Sequence, residues 1–135
     1  MHINGLAEML PIPLLFTSVA EFGGKFLFWD TVRNEQLTQA HEYALRLSKY
    51  FLPTGEQQAE KEKITLSPLE RVNVKEFGHP LVRELWRPHI TLGYYPNGLQ
   101  QNTRTEKFEG SAVGVAFVQV GEAGTIAEIL AERRT

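Results

Sequence analysis

Two apolar segments near the start of the chain predict a β-hairpin. Residues 12–19 and residues 25–32 are both rich in apolar and β-branched side chains, which favour strands. Gly23 and Gly24 separate the two segments and supply the turn that joins paired strands. Because Pro13 has no backbone N–H to donate to a sheet, we expect it near a strand end or at an edge.

From Asn34 onward, apolar residues recur at steps of three and four, which is the period of a helix with one apolar side. The recurring residues are Leu37, Ala40, Ala44, Leu47 and Phe51. Asn34 suits the N-cap position, and Glu35 complements the positive end of the helix dipole. Pro53 and Gly55 are residues that end helices, so the pattern predicts one amphipathic helix before them.

The segment that follows, residues 54–75, is polar, mixed in charge and without a clear period. A connection of this length is typical of a mobile loop or a lid, unless it contains an element that the pattern does not reveal. We expect a mobile loop. Residues 80–86 fit a short helix with Pro80 at its first position. Pro88 then stops that helix and favours an extended conformation at Arg87.

The remaining chain predicts three strands. Residues 89–95 form the first, followed by a turn at residues 96–98 and a polar excursion over residues 99–109. The other two strands are expected at residues 113–120 and 125–130. At 135 residues the chain has the size of one domain. The order of elements predicts a single α+β domain, with an antiparallel or mixed sheet and one main amphipathic helix on one face.

Composition restricts the classes of function. Fourteen basic and sixteen acidic residues give a net charge of -2, so we expect no bulk nucleic-acid binding, and any phosphate site must be local. The chain has no cysteine and no His/Asp/Glu cluster with ligand spacing, so we expect neither a metal nor another cofactor. No apolar run near the start is long enough to span a bilayer, which favours a cytoplasmic protein without membrane contact.

The candidate for chemistry is the string Arg-Pro-His-Ile-Thr-Leu-Gly over residues 87–93. Side chains alternate along a strand, so one face of this segment is expected to be polar and the other apolar. The expected polar face carries His89, Thr91, Gly93 and Tyr95, and the expected apolar face carries Ile90, Leu92 and Tyr94. The His89 imidazole can give or take a proton near neutral pH, and the Thr91 hydroxyl can bind a phosphoryl oxygen. Gly93 would leave room for a ligand.

Residues 87–94, Arg-Pro-His-Ile-Thr-Leu-Gly-Tyr, resemble the second motif of the two-histidine phosphoesterase superfamily, which includes 2′-5′ RNA ligase-like proteins and cyclic phosphodiesterases. The order of hairpin, helix, motif and two strands is similar to the C-terminal half of that two-lobed fold. Each lobe of the family contributes one His-x-Thr or His-x-Ser to a shared cleft. The resemblance implies metal-independent chemistry on a nucleotide, cyclic phosphate or RNA end, with His89 as acid or base and Thr91 as phosphate ligand.

This chain has one such motif, and its other histidines lack the matching context. His2 is followed by Ile-Asn, His41 lies beside the apolar stripe of the helix, and His79 precedes a proline. We expect a structural role for His41 and a loop or capping role for His79. Three hypotheses stay open. Two copies form a homodimer that brings both motifs to one cleft, the chain is a non-catalytic ligand-binding or partner-binding module, or it is a fragment of a longer protein.

Aromatic and basic side chains near the motif are candidates for substrate binding. Tyr95 is the aromatic residue expected on the motif face, where it could stack on a base, whereas Trp29 is expected in the core. Arg87 is the basic residue closest to the motif. Other basic residues gather nearby in the sequence, although a solvated surface is the plainer interpretation of the whole set: Arg71, Lys75, Arg83, Arg87, Arg104 and Lys107.

Overall fold

A computed structural model describes residues 2–50, 65–99 and 103–135 of the chain. Its helices are α1 (Ile3–Ala7), α2 (Glu35–Arg46) and α3 (Pro68–Phe77). Its strands are β1 (Ile12–Phe22), β2 (Phe26–Thr31), β3 (His89–Tyr94), β4 (Arg104–Ala112), β5 (Gly114–Val120) and β6 (Ile126–Arg134). The paired strands are antiparallel, so the predicted α+β class is confirmed.

The first four strands form one sheet in the order β3-β2-β1-β4. Its centre is the predicted hairpin of β1 and β2, which turns at Gly23 and Gly24. Both glycines have positive φ angles, 62° and 74°, which glycine adopts without a steric penalty. Pro13 is the second residue of β1 and pairs with Ser111 of β4, so it lies near a strand end as expected.

One face of this sheet, the core face, carries most of the sheet's buried side chains, although Ile90 and Phe108 on its two edge strands are 46% and 55% exposed. It carries the buried residues Ile12, Phe16, Val19 and Leu27. The Trp29 ring packs on the same face against Phe16 and Phe108, with centroid distances of 5.0 and 5.8 Å. Leu37 of α2 lines one cleft together with Phe16, so the helix lies on this side of the sheet. Trp29 therefore packs on this face as expected, but it is half-buried rather than part of the fully buried core.

Helix α2 begins where the sequence predicts. The Asn34 carboxamide oxygen accepts from the Leu37 N–H at 2.7 Å, and its nitrogen donates to the Pro13 carbonyl at 2.6 Å. One side chain therefore caps the helix and attaches it to β1. The helix ends at Arg46, before the predicted stop. Residues 51–64, which include the predicted stop residues, lie outside the described residues.

The prediction of a mobile loop over residues 54–75 is wrong for its second half, where α3 forms. Ser67 and Glu70 make a reciprocal capping box, with Pro68 at the first turn. Gly78 ends the helix in the left-handed conformation, with φ of 79°. The capping box was visible in the sequence as Ser-Pro-Leu-Glu, although the polar side chains around it hid the helical period. Residues 54–64 of the expected loop lie outside the described residues.

Two other sequence predictions change in detail. The short helix expected over residues 80–86 is reduced to one 3₁₀ turn at Arg83–Leu85. The polar excursion expected over residues 99–109 is wrong from Arg104 onward, because β4 pairs there with β1. β4 is an edge strand with mostly exposed side chains, so its polar residues are compatible with pairing.

Strands β5 and β6 form a separate two-stranded hairpin, as the two predicted strands suggest. The side that carries Val115 and Arg133 faces α1, since the Arg133 Nε donates to the Asn4 carboxamide oxygen at 3.0 Å. Ile3 of α1 is completely buried. The opposite side of the hairpin, called the open hairpin side below, carries the exposed residues Val120, Ile126 and Ile129. Within the described ranges, no helix is long and apolar enough to cross a membrane.

Candidate functional site

His89 and Thr91 lie on the same face of β3, as strand alternation predicts. His89 pairs with Asp30 of β2, and Thr91 pairs with Phe28. Directly opposed residues of an antiparallel pair point to the same side, so all four side chains share one face. This face lies opposite to the core face and is called the open face below. Its residues in β1, β2 and β3 include Phe22, Phe26, Phe28, Asp30, His89, Thr91 and Tyr94.

A β-bulge changes the alternation after Thr91. Phe28 pairs with Thr91 and Leu27 pairs with Gly93, so Leu92 is the extra residue. Gly93 therefore points to the core face and Tyr94 to the open face, which makes the prediction that Gly93 and Tyr95 share the motif face wrong.

The space beside Gly93 is filled by Tyr95 rather than left for a ligand. A β-carbon at Gly93 would lie 2.9 Å from the Tyr95 ring, on the side of the sheet away from Thr91. Tyr95 thus covers Gly93 and does not reach the open face. Tyr94, which pairs with Phe26 at a ring centroid distance of 4.9 Å, is the tyrosine beside the motif.

The His89 imidazole is held by a stacking contact and a hydrogen bond. Its ring stacks on Phe28 with a centroid distance of 3.6 Å and an interplanar angle of 18°. Nδ1 lies 2.6 Å from the Arg87 carbonyl oxygen. A carbonyl can only accept, so Nδ1 carries the hydrogen, and the lone pair of the neutral ring is on Nε2. This is the tautomer in which Nε2 can act as a base.

Arg87 lies at the open face but is already engaged. Its Nε and Nη2 each donate to one carboxylate oxygen of Asp30 at 2.8 Å, and its guanidinium lies 5.3 Å from the ring centroids of Phe22 and Phe28. The hydrogen bonds to Asp30 raise the pKa of Arg87, because they stabilise its charged form. Arg87 therefore fixes the backbone that holds His89, and Asp30 neutralises much of the charge expected to bind substrate.

The other basic residues do not form a positive cluster around the motif. Arg83 pairs with Glu42 at 3.6 Å, and Arg104 pairs with Glu106 at 3.0 Å. With Arg87, three of the six basic residues singled out in the sequence therefore pair with carboxylates. The solvated-surface interpretation describes this set better.

An aromatic row next to the motif was missed in the sequence. Phe22 stacks on Phe28 at 5.0 Å, and Phe26 lies 5.8 Å from Phe28 and 4.9 Å from Tyr94. Phe28 is only 7% exposed, whereas Tyr94 is 46% exposed and can meet a ligand. The alternation of Phe26, Phe28 and Asp30 in β2 was readable, but their place beside the motif depends on how β2 and β3 pair.

All four histidines of the chain are described, and His89 is the one on the open face. His2 stacks on Tyr50 at 4.7 Å, and His41 stacks on Trp86 at 3.9 Å. The Nδ1 of His79 accepts from the Leu81 N–H at 3.0 Å, which is the loop role expected for it. No group of three or more metal-ligating side chains comes together in the described part of the chain. The motif thus offers one imidazole and the Thr91 hydroxyl, next to an aromatic row on the open face.

A cleft of about 340 Å³ borders the motif on the other side of the sheet. Its lining is mostly apolar, with Leu14, Phe16 and Ile90 among its residues, and Arg87 and His89 also border it. Since the Thr91 side chain belongs to the open face, this cleft cannot bring a ligand to both the imidazole and the hydroxyl. The open face is the better candidate site.

Comparison of the chain with protein-family models, curated proteins and solved structures gives no match. The resemblance to two-histidine phosphoesterases therefore rests on the motif and on the sequence of hairpin, α2 and motif, since the structure adds α3 before the motif and has three strands after it instead of two.

Proposed function

We propose that this chain is a metal-independent phosphoesterase-like protein that binds a nucleotide, a cyclic phosphate or an RNA end at His89 and Thr91. The observation that carries the proposal is the 2.6 Å distance from His89 Nδ1 to the Arg87 carbonyl, from which we infer that Nδ1 carries the hydrogen and that Nε2 is left to exchange a proton on the face that carries Thr91. The absence of cysteine suits a reducing compartment such as the cytoplasm.

The chemistry follows from these two groups. In the neutral form, Nε2 takes the proton of an attacking water while Thr91 donates a hydrogen bond to a phosphoryl oxygen. In the protonated form, the imidazolium attracts the phosphate and gives a proton to the leaving oxygen. One imidazole cannot take and give a proton within the same displacement step. In a homodimer, the second histidine is the His89 of the other copy, placed opposite the first so that both imidazoles reach one phosphate.

A base stacked on the aromatic row would account for a preference for nucleotides. Tyr94 lies on the open face beyond Thr91 and is partly exposed, so its ring can stack on a base whose phosphate is held at His89. The substrate contact that the sequence assigned to Tyr95 is therefore assigned to Tyr94, and Arg87 becomes a positioning residue.

The alternative function is a non-catalytic binding module for a phosphate ligand or a protein partner. The single imidazole and the neutralised Arg87 favour it, because both weaken acid-base catalysis at an isolated site. The two functions share the binding residues and differ in turnover and assembly.

The deciding experiment measures hydrolysis of 2′,3′-cyclic nucleotides together with the solution mass by light scattering. We compare His89→Gln and Thr91→Val with the controls His2→Gln and Thr105→Val, since His2 stacks on Tyr50 away from the open face. Thr105 is exposed on the open face of β4, at the opposite edge of the same sheet. A dimer whose activity falls at least 100-fold in His89→Gln, but not in the controls, supports the phosphoesterase.

An inactive monomer that still binds a nucleotide through His89 and Thr91 supports the binding module instead. Titration with a cyclic nucleotide, followed by fluorescence or calorimetry, separates these outcomes. Binding that neither substitution weakens would contradict both functions.

A further inference from the structure

The chain just before β3 has little regular structure, yet side chains from three other places hold its backbone. This approach segment, residues 79–88, contains one 3₁₀ turn. Asn73 of α3 donates to the carbonyls of Pro80 and Val82 at 2.9 and 3.1 Å. Arg33 donates to the carbonyl of Trp86. The segment leads directly into His89, so its conformation sets where the imidazole lies.

His41 of α2 makes two contacts with this segment. Its ring stacks on Trp86 with a centroid distance of 3.9 Å and an interplanar angle of 5°. Its Nε2 accepts from the backbone N–H of Arg83 at 3.1 Å. Arg83 has a φ of 54°, in the left-handed region that residues other than glycine rarely adopt. Such a conformation persists only where surrounding contacts hold it, and the hydrogen bond to His41 is one of them.

This hydrogen bond exists in one protonation state only. A neutral imidazole has a lone pair to accept with, whereas a protonated ring has two N–H donors and no acceptor. Burial lowers the pKa of His41, Arg33 and Arg83 lower it further, and Glu42 opposes them by raising it. The charged groups that act on the ring are thus Arg33 in the chain before α2, Arg83 in the approach segment and Glu42 in α2 itself.

We propose that His41 is a positioning residue that works as a pH-sensitive clamp on the approach segment. In its neutral form it holds Arg83 and Trp86 and so fixes the backbone that leads to His89. Protonation of the ring turns the acceptor toward Arg83 into a donor and releases the segment. The clamp does not depend on turnover at His89, and its test needs no ligand.

The test follows Trp86 fluorescence against pH in a Trp29→Phe background, where Trp86 is the remaining tryptophan. Release of the segment moves the half-buried Trp86 indole away from His41 and toward water, so the emission maximum should shift to longer wavelength, with a midpoint below pH 6.5. His41→Gln keeps an acceptor near the Nε2 position but cannot titrate, and its emission should stay constant. His79→Asn in the same background is the control, and its emission should titrate like that of the parent.

The second readout is hydrogen exchange of the Arg83 amide, measured by NMR. The parent should protect this amide at pH 7 and lose protection, at least 10-fold, below the fluorescence midpoint. His41→Phe keeps a ring for Trp86 but has no acceptor, so the amide should exchange fast at every pH, whereas His41→Gln should protect it throughout. An emission change that persists in His41→Gln, or protection that His41→Phe leaves intact, would overturn the clamp.

Discussion

The approach segment and the β5/β6 hairpin both lie outside the four-stranded sheet, and different kinds of interaction hold them to the rest of the molecule. Side-chain hydrogen bonds from Asn73 and His41 hold the backbone of the approach segment. The hairpin is held by the apolar side of α1, where Ile3 and Leu6 are buried, and by one polar contact from Arg133 to Asn4.

The two kinds of interaction have different effects: hydrogen bonds set the position of a segment, whereas apolar burial stabilises it. Hydrogen bonds are directional, so they fix the backbone that sets His89 to a defined geometry. Apolar burial is not directional, and it stabilises the hairpin without specifying what its other side contacts. That open hairpin side exposes Val120, Ile126 and Ile129, and exposed apolar clusters often mark interaction surfaces.

The largest expected effect is on the hairpin's attachment. Ile3 is 0% exposed, so Ile3→Ala removes apolar contacts and leaves a cavity beside α1, the helix that packs against both the hairpin and α2. We expect the free energy of unfolding to fall by about 3 kcal/mol, as for other fully buried Ile→Ala changes. Urea denaturation followed by circular dichroism measures the loss.

Ile126→Ala is the matched control for that change, since Ile126 is 63% exposed. We expect its effect to stay within about 0.5 kcal/mol. If Ile126→Ala instead destabilises as much as Ile3→Ala, the open hairpin side is covered in solution. The loss should then depend on protein concentration.

The next effect concerns the approach segment. Asn73 is 2% exposed and donates to two carbonyls, which Asn73→Ala would leave without this partner. We expect the free energy of unfolding to fall by about 2 kcal/mol, in the range for unsatisfied buried polar groups. Asn97→Ala, in the exposed turn after β3, is the control and should have little effect. Equal denaturation midpoints for the two variants would show that the segment does not need Asn73.

A smaller effect is expected from the ion pair between Asp30 and Arg87, which lies beside His89 on the open face. Asp30→Asn removes the charge from a two-point contact with Arg87 that is partly exposed. We expect a loss of about 1 kcal/mol, together with a changed NMR signal of the His89 ring. Glu106→Gln at the exposed pair with Arg104 should cost less than about 0.5 kcal/mol. An unchanged His89 signal in Asp30→Asn would contradict the positioning role of Arg87.

The elements that the sequence predicted best are those whose signals are local. The β1/β2 hairpin follows from two apolar segments around Gly23 and Gly24, and the start of α2 follows from its period and the Asn34 cap. Helix α3 was missed because its buried side is small, with Val74 and Asn73 as its buried residues. The capping box at Ser67 carried the signal that the apolar period lacked.

The site was predictable only as far as one strand determines it. Alternation alone placed His89 and Thr91 on one face. The bulge at Leu92, which brings Tyr94 to the open face in place of Tyr95, is a property of how two strands pair. The sequence did not reveal Asp30 as the partner of Arg87 for the same reason. The two residues are 57 positions apart in the chain, and the pairing of β2 with β3 brings them together.

The smallest expected effect is a pH dependence of stability that comes from His79 in the approach segment and from His41, which contacts that segment from α2. Burial lowers the pKa of both His41 and His79. The unfolded chain then binds more protons than the folded chain below about pH 6.5, so the free energy of unfolding falls as pH decreases. Well above that pH the two imidazoles are neutral in both the folded and the unfolded chain, so their contribution to the free energy of unfolding is complete and no longer changes with pH. We expect thermal midpoints that are constant from pH 7 to 8 and decrease from pH 6.5 to 5, a range above that of most carboxylates. The double variant His41→Gln/His79→Asn should flatten this decrease, whereas an unchanged slope would place its origin in other groups.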